Sequence, residues 1–351
     1  MIRIFLGIIL AFELTGCKPH PTPSTNALAE PVPAKPKRWF QFPTDNHYLL
    51  QENAEDQFFA PTTTARPWSS GSFGCVRNSG TRLHEGIDIH SIKRDEDEEP
   101  IDPVRAATSG KIVHINRNIA ASNYGKYVVV AHEMNGVPFY TLYAHLRTVL
   151  EGLEIGRNVD SGDELGVLGR TTNTSSGIAS WRAHLHFEIG VQINSRFNGW
   201  FKSWYRDGNN LHGSWNGLNL LGLDAADILK RDHAGNFELG EYLMSLPVLC
   251  RVRVNRQKLD WLDRYPELIN DGSEATNAPH AWDLDLSFSG IPIRATPVRD
   301  PDLKLAANYM ILNVDADVRR QHPCSGLVFQ KGQKWVFTSK GQRQMDLLIF
   351  R

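Results

Sequence analysis

The sequence GKIVHINRNIAASNYGKYVVVAHEMNGVPFYTLY occupies residues 110–143 and contains three segments rich in β-branched and aromatic residues. Asn and Gly residues, which favour turns, separate the segments, and the segments themselves are 110–115, 126–131 and 137–143. Short apolar segments broken by turn residues are typical of antiparallel strands. The pattern continues outward, since residues 159–167 indicate a strand–turn–strand unit and residues 184–189 another strand. The sequence therefore predicts a mainly β domain built on an antiparallel sheet.

Composition limits the classes of protein to which the chain can belong. Its 351 residues are enough for one large domain or two of ordinary size. Hydrophobic residues make up 41% and charged residues 22%, which indicates a largely globular chain. The formal net charge of -1 argues against a nucleic-acid partner, because such proteins usually carry a basic excess on one face. The sequence also lacks Walker-type loops, Gly-x-Gly-x-x-Gly, Cys-x-x-Cys and His-Glu-x-x-His, which excludes several common enzyme classes.

The N-terminus is typical of an exported protein. Arg3 precedes an apolar run at residues 4–12, which is too short for a membrane-spanning helix of about 20 residues and fits the apolar core of a signal peptide. Residues 14–17 (LTGC) resemble a bacterial lipobox, in which the cysteine becomes the lipidated first residue of the mature chain. We therefore expect a lipoprotein anchored to the membrane through Cys17 and facing the periplasm or the cell exterior. The alternative is ordinary signal-peptide cleavage after Ala29.

Changes in composition divide the rest of the chain. A Pro-rich linker follows the signal segment and predicts a semi-rigid spacer, because so few large apolar residues cannot form a core. Beyond it come an irregular aromatic arm, the β-rich domain with a Trp-, Asn- and Gly-rich extension, and an accessory α+β domain of unknown role. The predicted boundaries are 1–17 for the signal segment, 18–38 for the linker, 39–69 for the arm, 70–232 for the main domain and 233–351 for the accessory domain.

Three cysteines remain if Cys17 is lipidated, namely Cys75, Cys250 and Cys324. In an oxidising compartment two of them can form a disulfide. Cys250 and Cys324 both lie in the C-terminal part, so their closeness in sequence makes them the expected pair, although spacing alone does not determine connectivity.

Two segments carry residues suited to binding a metal ion. In the segment RLHEGIDIH, an extended strand places His84 and Asp88 on one face, and the small Gly86 leaves space between them. About one hundred residues later, His184 and His186 again share a strand face. Catalytic zinc sites typically take three nitrogen or oxygen ligands and leave a fourth position for water. His84, Asp88 and one of the two later histidines are therefore the expected ligands of one zinc ion, and the other histidine is free for proton transfer.

These segments resemble, in order and spacing, the signatures of the lysostaphin/LytM-type zinc endopeptidases. The matching motifs are His84-x-x-x-Asp88, Tyr143-Ala144-His145-Leu146 and His184-Leu185-His186-Phe187-Glu188. The resemblance covers roughly residues 70–190 and implies an antiparallel sheet that forms an open groove. It also implies a peptidoglycan substrate, cleaved in the stem-peptide cross-link or bridge. The residues to which it assigns roles are the zinc ligands His84, Asp88 and His186 and the catalytic histidines His145 and His184.

Two features depart from the family pattern. The loop at residues 173–183 is longer than usual and is expected to border the groove, and His90 stands where a small or apolar residue is usual. His90 therefore has two interpretations, a contact behind the metal site or a solvent-exposed side chain. His212 is expected as a contact at the groove edge. The competing functional hypotheses are a non-catalytic wall-binding or hydrolase-activating lipoprotein, and a scaffold whose accessory domain makes the important contacts.

Overall fold

The computed structural model describes residues 38–63, 65–235, 237–272, 277–300, 302–304 and 307–351. The predicted signal segment, the lipidation site at Cys17 and the linker up to residue 37 lie outside the described residues. These three assignments therefore remain predictions. Across the described ranges, no helix combines the length and the apolar character that crossing a membrane requires.

Strands dominate the described part of the chain. In chain order they are β1 (Gly74–Arg77), β2 (Arg82–His84), β3 (Ile87–His90), β4 (Pro103–Arg105), β5 (Gly110–Asn116), β6 (Tyr127–Met134), β7 (Val137–Ala144), β8 (Thr148–Val149), β9 (Asn158–Val159), β10 (Glu164–Val167), β11 (His184–Gln192), β12 (Leu220–Leu223), β13 (Val248–Val254), β14 (Ala281–Ser287), β15 (Pro292–Val298), β16 (Tyr309–Val314), β17 (Val328–Lys331) and β18 (Lys334–Phe337). The accompanying α-helices are α1 (Glu55–Phe58), α2 (Phe197–Trp204), α3 (Ala225–Ala234), α4 (Leu239–Ser245), α5 (Asp260–Arg264), α6 (Ala316–Gln321) and α7 (Ser339–Leu348).

The central sheet has the strand order β12-β11-β7-β6-β5-β9, and β3 pairs with the first half of β11. Every pairing in this sheet is antiparallel, as predicted. The three segments predicted within residues 110–143 form β5, β6 and β7. Asn135 and Gly136 connect β6 to β7 with φ values of 51° and 88°, the positive backbone angles that a tight hairpin turn favours.

Side chains of the central sheet pack on both of its faces. Val128 and Val130 of β6 join the main core, while Val129 between them belongs to a smaller cluster on the other face. This division follows from the two-residue period of a strand. Along β11 every residue before Gln192 is buried. Packing against both faces of the sheet therefore fixes the positions of the β11 side chains.

The segment before β1 packs on the central sheet. Phe59 is buried and its backbone forms a β-bridge with Ile89 of β3. The backbone N–H of Phe40 donates to the Asp232 carboxylate of α3 at 2.9 Å. The aromatic arm expected at residues 39–69 therefore lies against the strands that carry the metal-binding motif.

The region after α3 adds a second antiparallel sheet, in the order β15-β14-β13-β16, and a hairpin of β17 and β18. One hydrophobic cluster includes residues from Phe40 to Ile349, and the described residues belong to one compact unit. Helices and strands are both present in this region. An accessory domain with the boundaries 233–351 remains a prediction.

The disulfide joins Cys75 of β1 to Cys324, 249 residues later. The expected pairing of Cys250 with Cys324 is therefore wrong. Cys250 lies in β13, where it is buried as a free thiol, whereas the Cα atoms of Cys75 and Cys324 lie 5.2 Å apart. A disulfide requires such a short Cα separation, and tertiary packing rather than closeness in sequence produces it here.

Candidate metal centre

Three strands bring the predicted metal ligands together. His84 ends β2, Asp88 lies in β3 and His186 lies in β11. The register pairs His186 directly with Asp88 across two antiparallel strands, and directly opposed residues have Cβ atoms about 5 Å apart. Strand pairing therefore brings together His84 and His186, which are 102 positions apart in sequence.

Gly86 has a different role from the one predicted. A Cβ atom on this residue would lie 2.4 Å from the backbone oxygen of Phe187 and 2.8 Å from Cγ of Glu188. The turn between β2 and β3 thus needs glycine to approach β11, rather than to leave space between two ligands. The close approach brings both flanking ligands onto the central sheet.

Three ligand atoms form a nearly equilateral triangle, hereafter the His84–Asp88–His186 triangle. Nε2 of His84 lies 3.1 Å from Oδ1 of Asp88 and 3.1 Å from Nδ1 of His186. Nδ1 of His186 lies 3.2 Å from the same Oδ1. All three side chains are buried. Zinc–ligand distances of about 2.0–2.1 Å in tetrahedral geometry place two ligand atoms about 3.3 Å apart, so the donor types and the spacing fit a zinc ion.

Hydrogen bonds behind the triangle orient both imidazoles. Nδ1 of His84 donates to the backbone oxygen of Ser72 at 2.7 Å, and Nε2 of His186 donates to Oε1 of Glu188 at 2.9 Å. The opposite nitrogen of each ring therefore faces the triangle, as metal binding requires. Neither Ser72 nor Glu188 had a predicted role. The signal for Glu188 was present, because residues i and i+2 of a strand share a face.

Two tyrosines hold Glu188, of which Tyr140 is buried and Tyr124 is partly buried. The Tyr124 hydroxyl donates to Oε1 at 2.6 Å and the Tyr140 hydroxyl donates to Oε2 at 2.8 Å. Burial alone raises the pKa of Glu188, but hydrogen bonds from His186 and the tyrosines outweigh it and lower that pKa below its ordinary value. An ionised carboxylate therefore sits against His186, where it makes the imidazole a stronger ligand.

Two residues of the triangle, Asp88 and His186, have shifted pKa values. Burial opposes the ionisation of Asp88, but the neighbouring histidines and Arg77 hold its pKa well below the usual range. Burial likewise opposes protonation of His186, while hydrogen bonds to Asp88 and Glu188 raise its pKa to about 9. His186 therefore carries an extra proton at neutral pH, and metal binding must release it.

The two histidines predicted to be catalytic flank the triangle, with ring centres 4.9 Å apart. Nδ1 of His145 donates to the backbone oxygen of Thr171 at 2.8 Å, and Nδ1 of His184 donates to that of Arg182 at 2.7 Å. Nε2 of His184 lies 3.4 Å from Oδ2 of Asp88, outside the triangle. Burial lowers the pKa of His184 well below its ordinary value and lowers that of His145 to about 4. Both rings are therefore neutral at neutral pH.

His145 has an uncommon backbone conformation. It follows β7 directly with a φ of 62°, in the left-handed region that few residues other than glycine occupy. Its N–H donates to the backbone oxygen of Tyr124 at 2.9 Å, and its carbonyl accepts from the N–H of Thr171 at 3.3 Å. These bonds hold a turn that places the imidazole beside His184, and backbone strain of this kind is often found at functional sites.

A groove of about 810 Å³ opens over the triangle. The loop at residues 173–183 borders it, as predicted, and so does His212, whose Nδ1 lies 2.7 Å from the Tyr127 hydroxyl. His90 does not line the groove. It is partly buried, and its Nδ1 has no hydrogen-bond partner among the described residues. In the pairing of β3 with β11 it lies directly opposite His184, and its role as a contact behind the metal site stays a prediction.

Two arginines without a predicted role also reach the triangle. Nη2 of Arg77 lies 2.5 Å from Oδ2 of Asp88 and 2.9 Å from Nε2 of His84. Nη2 of Arg182 lies 3.1 Å from the same Oδ2. The sequence holds no signal for Arg77, because β1 reaches the site only through its pairing with β2.

Comparison with known proteins agrees with the motif resemblance. The profile of peptidase family M23 matches residues 82–198, which contain all the predicted metal-binding and catalytic residues. No curated protein matches the chain. Among solved structures, a zinc-containing peptidase from Vibrio cholerae is 23% identical to this chain, with a TM-score of 0.28. The match covers 44% of this chain and 37% of the Vibrio cholerae protein. The catalytic domain of the antimicrobial peptidase lysostaphin from Staphylococcus simulans is 23% identical, with a TM-score of 0.24. That match covers 38% of this chain and 75% of the lysostaphin domain.

Proposed function

We propose that this chain, whose residues 82–198 form a domain of peptidase family M23, is a zinc-dependent endopeptidase that cleaves peptide cross-links of bacterial peptidoglycan. The observation that carries the proposal is the His84–Asp88–His186 triangle, with sides of 3.1, 3.1 and 3.2 Å. Two neutral histidines lie beside it in the groove. A three-ligand metal site next to groups that can move a proton is the arrangement that metal-assisted peptide hydrolysis needs.

The three triangle side chains would hold the zinc ion, and Glu188 would orient one of them. When bound, zinc lowers the pKa of a water molecule towards about 7 and polarises the scissile carbonyl. The protein supplies the buried setting, in which a metal charge acts more strongly than in water.

His145 and His184 handle the proton. Each ring donates from Nδ1 to a backbone oxygen, so Nε2 is the nitrogen available to accept a proton in the groove. One histidine takes the proton from the attacking water or steadies the developing oxyanion, and one returns a proton to the leaving amine.

The groove supports a peptide substrate. Amide and hydroxyl side chains line it beside the triangle, including Asn123, Asn173, Thr174 and Asn216. Such groups hydrogen-bond the backbone of an extended peptide. Peptidoglycan stem or bridge peptides are proposed because the motif resemblance implies them and because the N-terminus predicts export to the compartment of the wall.

Digestion of purified peptidoglycan by the full chain, followed by mass spectrometry of the products, tests the proposal. Wild type should release cleaved cross-links, and His186→Ala or a chelator should abolish the release. His47→Ala is a matched control, because His47 is an exposed histidine outside the groove lining. The proposal fails if wild type and His186→Ala give the same products and neither requires zinc. It also fails if purified wild type binds no zinc or if His84→Ala binds as much zinc as wild type.

We also propose membrane anchoring through a lipid on Cys17. Mass spectrometry of the mature N-terminal peptide should find the lipid on this residue, and Cys17→Ser should move the protein from the membrane fraction to the soluble fraction. An unmodified mature N-terminus after Ala29 would contradict the anchor and support ordinary cleavage.

A further inference from the structure

Arg77 and Arg182 converge on a single carboxylate oxygen. Their Nη2 atoms lie 2.5 and 3.1 Å from Oδ2 of Asp88, and their side chains are only 14% and 16% exposed. Two guanidinium groups that share one oxygen atom repel each other and each leave donors unused. Both arginines also line the groove, so those donors lie beside the place where a substrate binds.

Both guanidinium groups are held in place. Arg77 lies two residues after Cys75, whose disulfide ties β1 to the C-terminal region. Arg182 donates from Nε to the backbone oxygen of Pro61 at 2.8 Å. Among the described residues, hydrogen bonds of Arg77 use only Nη2, and those of Arg182 use Nε and Nη2. Several N–H groups of the two side chains are therefore available to a ligand.

The charge balance changes when a divalent cation binds the triangle. Asp88 then shares its negative charge with the metal, and Nε2 of His84 is no longer free to accept from Arg77. The other carboxylates that line the groove are Glu85 and Glu188. Glu188 is engaged by His186 and two tyrosines, and among the described residues Glu85 forms no ion pair with either arginine. Arg82 also lines the groove, but Arg77 and Arg182 are the two cationic side chains that contact the triangle, and in the loaded groove they favour an anion there.

We propose that Arg77 and Arg182 form a carboxylate-binding subsite, and that the preferred substrate is a peptide with a free carboxylate on the residue next to the scissile bond. This inference rests on the proposed peptidase function. Arginine suits the role because its planar fork binds a carboxylate through two parallel hydrogen bonds. Placing this subsite within hydrogen-bond distance of two triangle residues fixes the carboxylate close to the reacting carbonyl. The two arginines are thus specificity-determining residues.

Matched synthetic peptides test this with zinc-loaded full-length protein. One pair differs in a terminal α-carboxylate or carboxamide on the residue that follows the scissile bond. A second pair differs in a side-chain carboxylate or carboxamide on the flanking residue. For at least one pair we expect kcat/KM to be about 10- to 100-fold higher for the carboxylate peptide than for the carboxamide peptide. This range corresponds to the loss of one hydrogen bond to a charged group. Which pair discriminates identifies the source of the carboxylate.

Three variants locate the effect. Arg77→Gln and Arg182→Gln should reduce the discrimination to within about threefold, mainly through KM, since the remaining single arginine holds the carboxylate weakly. Arg82→Gln is the control, because Arg82 lines the same groove but is exposed and has no hydrogen bond to the triangle among the described residues. It should keep the discrimination of wild type. Zinc affinity is measured for every variant by competition with a chromogenic chelator.

Calorimetric binding of the same peptides to zinc-loaded protein gives a readout that needs no turnover. Equal binding and equal hydrolysis of both members in each pair would overturn the subsite and leave the peptidase proposal intact. A discrimination unchanged by the Arg77 and Arg182 variants, with altered zinc affinity, would also overturn it and show that the arginines act on the metal alone. If no peptide is hydrolysed, the peptidase proposal fails, and the calorimetric preference alone decides the subsite.

Discussion

Replacing Glu188 with glutamine tests the support behind the metal centre. The Glu188 carboxylate is 1% exposed and accepts hydrogen bonds from His186, Tyr124 and Tyr140. A glutamine has one acceptor oxygen, so its amide N–H must face at least one of those donors. The substitution removes a charge-assisted hydrogen bond worth about 1.5–3 kcal/mol. Loss of such support typically weakens metal binding by about 10- to 100-fold, which is the range expected for Glu188→Gln.

The assay is a zinc titration in competition with a chromogenic chelator, with urea unfolding of the metal-free protein to check that the variant folds. Tyr140→Phe is the matched control, because it removes one hydroxyl donor and keeps the carboxylate against His186. Its zinc affinity should fall by less than about tenfold, because the carboxylate keeps its charge and its hydrogen bond from His186. A Glu188→Gln protein that folds and binds zinc within twofold of wild type would refute the reasoning.

Three further predictions concern stability. The double substitution Cys75→Ser/Cys324→Ser opens a loop of 249 residues and should lower the free energy of unfolding by about 2–5 kcal/mol in urea titrations; an unchanged midpoint and slope would contradict this. Burial lowers the pKa of His132 from 6.5 to about 4. The neutral imidazole therefore makes its full contribution to the free energy of unfolding above pH 6.5, and that free energy should fall by about 2 kcal/mol as the pH drops to about 5. Urea titrations across that pH range should show a smaller loss for His132→Gln than for wild type. Zinc at about 1,000 times its Kd should stabilise the fold by about 4 kcal/mol, and His84→Ala should lose this gain in calorimetric melting.

The strand pattern and the shared strand faces of the candidate metal ligands were predictable from sequence because both depend on local rules. The two-residue period of a strand places His184 and His186 on one face whatever surrounds them. Turn chemistry is also local, and Asn135–Gly136 formed the predicted break between β6 and β7. The family resemblance then implied His186 as the third ligand and His145 as a catalytic histidine, and the structure places the first in the triangle and the second beside it.

What surrounds these residues depended on the tertiary structure. Glu188 acquires its role only because β7 carries Tyr140 beside β11 and the chain before β6 carries Tyr124. The convergence of Arg77 on Asp88 follows from the pairing of β1 with β2, and no periodicity within β1 could indicate it.

The cysteines show the same limit. Sequence determined that the chain could hold a disulfide, but closeness along the chain pointed to the wrong pair. Packing decided that Cys75 meets Cys324 while Cys250 is buried in β13. The physical reason is that side-chain alternation and turn preference act over a few residues, whereas a disulfide, a cross-strand ion pair or a buried carboxylate needs atoms from distant segments within a few ångströms.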